Sequence, residues 1–270
     1  MVTNDIVIAM TGSGGDGIVT IGDFMVSACA KEGLYALAQK NFGPQIRGGE
    51  SSSTVHISDK PVGTQGDSIN ILTIFSWKDY ARFNTEMMFK DGLIVLVEEK
   101  EDIENCPIDP KIKKHFIKVP FSALSKESTG TSKSKNIVLM GILEGLLNIS
   151  KEGLQSALNT KFSAKGNALL EDLSKAYEKG IDWVKSNEDK FKEVDLPELD
   201  LKKSDKKMII TGNEAIAFGA LCSGCTFFSG YPITPSSEVL EWSAKEFPKF
   251  DGVFIQAEDE ISAIGIATGA

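Results

Sequence analysis

Histidine and cysteine are scarce in this chain of 270 residues, with two of the first and four of the second. The two histidines, His56 and His115, have no partner residues at catalytic spacing. No nucleophile elbow, Walker loop, Ser/His/Asp constellation or metal tripod is present. No run reaches the roughly 18 apolar residues that a membrane span needs. The first ten residues, MVTNDIVIAM, lack the basic region and cleavable apolar stretch of a signal peptide, so a cytoplasmic protein is expected. Positive charge is also short: 29 Lys and Arg against 38 Asp and Glu leave a formal charge of -9. That balance argues against a nucleic-acid partner, because phosphate backbones demand clustered cations. It leaves an anionic small molecule open, since one arginine or a helix N-terminus can hold one. Of the cysteines, only Cys222 and Cys225 have metal or redox spacing. A single such pair is weak support for zinc or an iron–sulfur cluster, and no metal site is expected. Cys29 falls in a helix pattern and reads as a small buried hydrophobe.

The apolar share of 41% is enough for real cores, and 270 residues can hold two modest domains. The pattern predicts strands over 6–10, 34–37, 51–57, 69–74, 93–97 and 116–119. Helices are expected over 18–31, 78–88, 137–147 and 161–185. Residues 122–135 are polar and turn-rich. A charge-dominated stretch over 186–206 reads as an exposed linker. Beyond it, strands at 208–211, 226–229 and 253–256 alternate with helices at 213–222, 236–245 and from 259 onward. Alternation of this kind signals a mostly parallel sheet. The expected division is therefore 1–185, a linker over 186–206, and 207–270. The last part looks like the opening of a larger module that is cut short at Ala270.

Four clusters carry potential chemistry. Gly12-x-Gly14-Gly15-x-Gly17 follows a strand and opens a helix, so its amides can hold a phosphate. A NAD site needs an acid at the end of the second strand, which ends instead in Ala38-Gln39-Lys40. The loop 41–50, Asn-Phe-Gly-Pro-Gln-Ile-Arg-Gly-Gly-Glu, joins a stiffening Pro44 to a glycine pair that lets the backbone approach a partner. Arg47 is its anion-binding candidate; the competing reading is a hairpin-like surface loop. Ser229-Gly-Tyr-Pro-Ile-Thr-Pro-Ser-Ser237 and Gln256-Ala-Glu-Asp-Glu260 each stand at a strand exit, where open α/β sheets place ligands.

These clusters resemble those of the 2-oxoacid:ferredoxin oxidoreductases, in the subunit where a gamma-type domain precedes an alpha-type domain. The opening glycine turn and Phe42-Gly-Pro-Gln-Ile-Arg-Gly-Gly49 are similar to the gamma part. Gly212-Asn-Glu-Ala215, Gly230-Tyr-Pro-Ile-Thr-Pro235 and Gln256-Ala-Glu-Asp-Glu260 are similar to the start of the alpha part. The resemblance implies a Rossmann-like α/β domain followed by the start of a pyrimidine-type thiamine-diphosphate-binding α/β domain. It also implies oxidative decarboxylation of a 2-oxoacid, with coenzyme A taking the acyl group and ferredoxin the electrons. The domain order favours 2-oxoglutarate; pyruvate and branched-chain acids stay open. So do a non-catalytic two-domain interaction protein and a NAD-dependent dehydrogenase. A beta subunit is expected to share the thiamine diphosphate and to carry Mg2+ and an iron–sulfur cluster, within a higher-order hetero-oligomer. The present chain is expected to be inactive alone.

Within that resemblance, thiamine diphosphate needs one carboxylate beside N1′ of its aminopyrimidine. Glu260 starts a small-residue helix with Gly269 nine positions on, and is favoured over Glu258. Thr234, extended because Pro235 follows it, is implied to contact the 2-oxoacid, with a helix-capping role as the rival. Tyr231 is implied to shape the pocket. Arg47 is implied to face coenzyme A or the mouth of the site. Gly14, Gly15 and Gly17 stand as candidates for a phosphate-type contact to a ligand, with a tight turn needed only for packing as the rival.

Overall fold

The computed structural model describes residues 5–43, 49–149, 151–163, 166–195 and 205–270. The chain forms two compact units, Met1–Lys207 and Met208–Ala270. The α/β class expected from the alternating pattern holds in both.

The first unit is built on a six-stranded sheet in the order β2-β3-β1-β4-β5-β6. Its strands are β1 (Asp5–Ser13), β2 (Tyr35–Phe42), β3 (Glu50–Ser58), β4 (Ile69–Ile74), β5 (Phe89–Glu98) and β6 (Lys114–Val119). β1, β4, β5 and β6 run parallel, whereas β3 is antiparallel to both β1 and β2. The parallel strands read as continuous apolar runs because both faces are covered; Ile8, Leu72 and Val95 are fully buried. One face packs against α1 (Ile18–Lys31), α4 (Lys135–Leu147) and the helices beyond them, with Met10, Ile21, Ile71 and Leu143 in one core. The other face buries Val7, Leu72 and Val95 beneath α2 (Trp77–Tyr80) and the loop that carries Ile108.

Helix α1 begins at Gly17, whose φ of 71 leaves it in the left-handed region. A Cβ there would sit 2.2 Å from Asn136 Nδ2 on α4, so that side chain would have to shift, while the left-handed backbone itself favours glycine. Gly33, at φ 82, ends the same helix and turns the chain into β2.

Several local expectations fail for tertiary reasons. The turn-rich stretch 122–135 contains α3 (Phe121–Thr129). Its first turn is held from 24 residues away: Ser122 donates through its amide (3.0 Å) and hydroxyl (2.6 Å) to Glu98 Oε2. The helix expected over 78–88 shrinks to α2 and a 3-10 turn, Asn84–Glu86. The chain is drawn into the sheet early, as Ile69 N–H donates to Met88 O at 2.8 Å. Helix α5 (Lys151–Phe162) buries Leu154, Ala157 and Leu158 and precedes α6 (Asn167–Ser186). Its spacing is helical, but its polar residues hid the stripe. The expected linker is not wholly exposed: Phe191 is buried and meets the Trp183 ring edge-on at 6.2 Å. Residues 196–204 of that stretch lie outside the described residues.

The second unit holds a two-stranded parallel sheet of β7 (Phe227–Gly230) and β8 (Val253–Gln256). Helices α7 (Gly212–Cys222), α8 (Ser237–Glu246) and α9 (Glu260–Gly269) complete it. The strand expected over 208–211 does not form; those residues lead straight into α7. No described helix is long and apolar enough to cross a membrane.

Candidate active site

Strands β7 and β8 lie side by side in register, from Phe227 opposite Val253 to Gly230 opposite Gln256. Their exits therefore open at the same rim, and Ala257 N–H donates to Gly230 O at 2.8 Å just beyond it. One exit releases the loop from Tyr231 to Ser236. The other releases Glu258, Asp259 and Glu260. Two clusters separated by about 25 residues of sequence are thus brought together by pairing alone.

The Tyr231 hydroxyl donates to Glu260 Oε1 across this rim. The bond, together with Glu260's own backbone N–H, holds the Glu260 carboxyl below the usual carboxylate range. The same bond pushes the Tyr231 phenol above its ordinary value. Asp259 acts against Glu260 as a neighbouring negative charge. It is itself engaged: its side chain accepts from Ser262 N–H at 2.7 Å, and the Ser262 hydroxyl lies 3.2 Å from Asp259 N–H. This reciprocal capping box starts α9. Asp259, which no functional reading singled out, is the residue that begins the helix, and the Asp-x-x-Ser spacing carried the signal. Its two glutamate neighbours are thereby released from capping. Glu258 is exposed and precedes the helix.

Thr234 is exposed in the turn between β7 and α8, and its bond to Pro235 is cis. Its side chain is not the cap of α8. Ser236 occupies the capping position but makes no capping bond; its hydroxyl donates instead to Ile233 O at 3.0 Å. The turn is tied to α7 by Asn213, whose Nδ2 donates to Pro235 O (2.9 Å) and Glu238 Oε2 (3.1 Å). On α9, a Cβ added at Gly265 or Gly269 would meet open space. Small residues there are not demanded by packing within the described chain. Glu260 is thus an exposed carboxylate, held low, at the strand-exit rim.

In the first unit, Gly14, Gly15 and Gly17 line one cavity of about 390 Å³ with Ile18, Phe42, Glu50 and Ser51. The turn spends part of its donor capacity internally: Gly14 N–H donates to Gly49 O (2.6 Å) and Asp16 N–H to Ser13 O (2.9 Å). Asp16 folds back to accept from Ser13 N–H at 2.9 Å and pairs with Lys135 at 3.3 Å. Ser13 donates to the buried Asp79 at 2.9 Å, and burial pushes the Asp79 carboxyl above its ordinary range. Sequence spacing could not have found Asp79, which reaches the turn from 66 residues away. The topology also runs against a dinucleotide site. That fold sets the first two strands side by side and parallel, whereas here antiparallel β3 separates β1 from β2. Phe42 pairs with Ser51 as a hairpin closes around the loop; Arg47 lies outside the described residues.

Cys29 is buried and its thiol is pushed up to about 12 by desolvation. Cys225 Sγ donates to Phe227 O at 3.2 Å. No group of three His, Cys, Asp or Glu residues among the described residues could hold a metal ion.

An α/β unit that brings a Tyr-Pro-Ile-Thr-Pro turn and an acidic helix start to one strand-exit rim has the arrangement at which open sheets place ligands. The chain belongs to the pyruvate ferredoxin/flavodoxin oxidoreductase family, whose model matches residues 7–183. The thiamine-diphosphate-binding model of the same oxidoreductases matches residues 218–270. The 2-oxoglutarate synthase subunit KorA of Archaeoglobus fulgidus is 58% identical over 62 residues, 23% of this chain and 18% of that subunit. The KorC subunit of the synthase from Methanocaldococcus jannaschii is 32% identical over 154 residues, 56% of this chain and 80% of that subunit. A solved 2-oxoglutarate:ferredoxin oxidoreductase from Magnetococcus marinus, with 2-oxoglutarate, coenzyme A and succinyl-CoA bound, matches 98% of this chain at 32% identity. Its TM-score is 0.83, and the chain spans 45% of that longer one.

Proposed function

We propose that this chain is the gamma-alpha portion of a thiamine-diphosphate-dependent 2-oxoacid:ferredoxin oxidoreductase, with 2-oxoglutarate as the favoured substrate. The reaction is oxidative decarboxylation to acyl-CoA and CO2 with reduction of ferredoxin. The observation that carries this reading is the meeting of Tyr231 and Glu260 at the paired exits of β7 and β8. The bound cofactor supplies the carbanion chemistry. This chain's task is to hold the ionised Glu260 carboxylate against N1′ of the aminopyrimidine. Thr234, exposed on the same rim, is the proposed contact to the 2-oxoacid. Arg47 and the glycine turn at Gly14, Gly15 and Gly17 are the proposed anion-binding side, directed toward coenzyme A. Asp16 is paired with Lys135, so Glu50 is the carboxylate lining the cavity that opposes an anion, and Arg47 is its proposed counterweight. Mg2+, the diphosphate contacts and an iron–sulfur cluster fall to a beta subunit, and ferredoxin is the electron acceptor. The similarity of 98% of the chain to one continuous oxidoreductase chain supports the fused order of gamma-type and alpha-type regions.

The test assembles the full-length subunit with its partner and measures 2-oxoglutarate-dependent reduction of ferredoxin. Glu260→Gln is expected to lower turnover about 10²–10⁴-fold, the range of a lost acid–base contact, with assembly intact. Glu258→Gln is expected to have a smaller effect. The reverse ranking would overturn the assignment. Pyruvate and a branched-chain acid in the same assay decide the substrate.

A further inference from the structure

Asp259 and Glu260 are two adjacent carboxylates at the start of one helix, and each is given a separate donor. Asp259 accepts from Ser262 N–H, and Glu260 accepts from the Tyr231 hydroxyl. Without its donor, Glu260 would face the Asp259 charge with only its own backbone N–H in compensation. Tyr231 is the first residue beyond β7, so the strand pairing itself sets where its ring begins. We infer that Tyr231 is a positioning residue that keeps Glu260 ionised and aimed, and so places the proton shared between Glu260 and the cofactor on N1′. This rests on the reading of Glu260 as the aminopyrimidine contact.

The chemistry sets the direction. A carboxylate has four lone-pair sites, so one oxygen can accept from Tyr231 while another faces N1′. A hydrogen bond to the charged form favours that form. The Glu260 carboxyl is indeed held low, with Tyr231 as the leading cause and Asp259 opposing it. With thiamine diphosphate bound, an ionised Glu260 would leave the shared proton on N1′, the protonation state on which the imino tautomer of the aminopyrimidine would depend. Losing the hydroxyl must therefore reduce that tautomer and demand a higher pH for the same activity.

The experiment uses the assembled enzyme loaded with thiamine diphosphate and Mg2+ but no 2-oxoacid. Circular dichroism reports the iminopyrimidine, and the pH profile of kcat/KM is then taken with 2-oxoacid added. Tyr231→Phe keeps the ring and removes the donor. Its iminopyrimidine signal at fixed pH is expected to fall about two- to tenfold, the worth of one hydrogen bond, and its acid limb to move up in pH. Replacing Tyr231 with 3-fluorotyrosine, a more acidic phenol, is expected to move the acid limb down, which keeps the idea testable if the Phe variant assembles poorly. An unchanged signal and acid limb in both variants would overturn the inference. Glu260→Gln separates the two levels of the argument. If it abolishes the signal while the Tyr231 variants leave it untouched, only the role of Tyr231 fails. If Glu260→Gln retains the signal, the Glu260 assignment falls and the role of Tyr231 with it.

Discussion

The two units keep their order by different means. In the first, the central strands are sealed on both faces, and Ile8, Leu72, Leu96 and Val138 are all fully buried. In the second, a two-stranded sheet carries Val253 at 50% exposure, and helix α9 shows Ile261 at 83% and Ile264 at 69%. What holds the second unit is a short set of contacts, some local and some between elements. A capping box starts α7 through Thr211 and Glu214, and another starts α9 through Asp259 and Ser262. Asn213 bridges to Pro235, and the rings of Phe228 and Phe254 stack at 5.9 Å. The difference shows where each kind of residue can be placed. Burial pushes the Asp79 carboxyl up, while the exposed Glu260 carboxyl is held low by the Tyr231 hydroxyl.

The largest effect is expected where the first unit is tightest. Helices α4 and α6 cross backbone to backbone: a Cβ on Gly141 would lie 2.0 Å from Tyr177 O, and one on Gly180 would lie 2.2 Å from Val138 O. Neither neighbour is a flexible side-chain tip that can swing away. Gly141→Ala should therefore cost about 3 kcal/mol or more. Hydrogen exchange should show lost protection across α4 and α6, with α8 unchanged. Normal protection in α4 and α6 would mean that the helices separate easily and that the contrast between the units is overstated.

A smaller and more local loss is expected in the second unit. Asp259→Ala removes the cap that accepts from Ser262 N–H and should destabilise α9 by about 1 kcal/mol. Faster exchange should be confined to α9 and its neighbour β7. If the change spread into the six-stranded sheet, the units would not be independent in stability.

How much of this could be read from sequence follows the same division. Helix α1 and strands β4 and β8 form where their own residues predict, because the apolar pattern is continuous and the breakers stand at the ends. The placing of the Tyr231 and Glu260 clusters at strand exits is legible in the apolar runs before them, but their meeting is not, because it depends on the pairing of β7 with β8. Helix α3 was not, because its first turn is completed by Glu98 on β5. The insertion of β3 between β1 and β2 was equally hidden, as strand order depends on pairings that no local window contains. The role of Asp259 was written in the Asp-x-x-Ser spacing but obscured by the two glutamates that flank it.

The smallest effect concerns pH and tests the buried side of the comparison. Burial raises the Asp79 carboxyl, the Ser13 hydrogen bond opposes that shift, and the charges of Asp16 and Glu50 add to it. A carboxyl whose folded value lies above its unfolded one binds its proton more tightly in the folded chain. Its contribution to stability is therefore complete below the ordinary aspartate range and is lost as pH rises through the raised folded value. At pH 7 ionised Asp79 works against the fold. Asp79→Asn keeps an oxygen to accept from the Ser13 hydroxyl and cannot ionise. The variant should be at least as stable as the parent at pH 7, and that advantage should disappear as the pH falls below the aspartate range. Glu144 is also raised by burial, so the informative quantity is the difference between variant and parent urea midpoints across a pH series. A variant less stable than the parent at pH 7 but equal to it below the aspartate range would show that the charged form of Asp79, through its bond with Ser13, holds the exit of β1 in place.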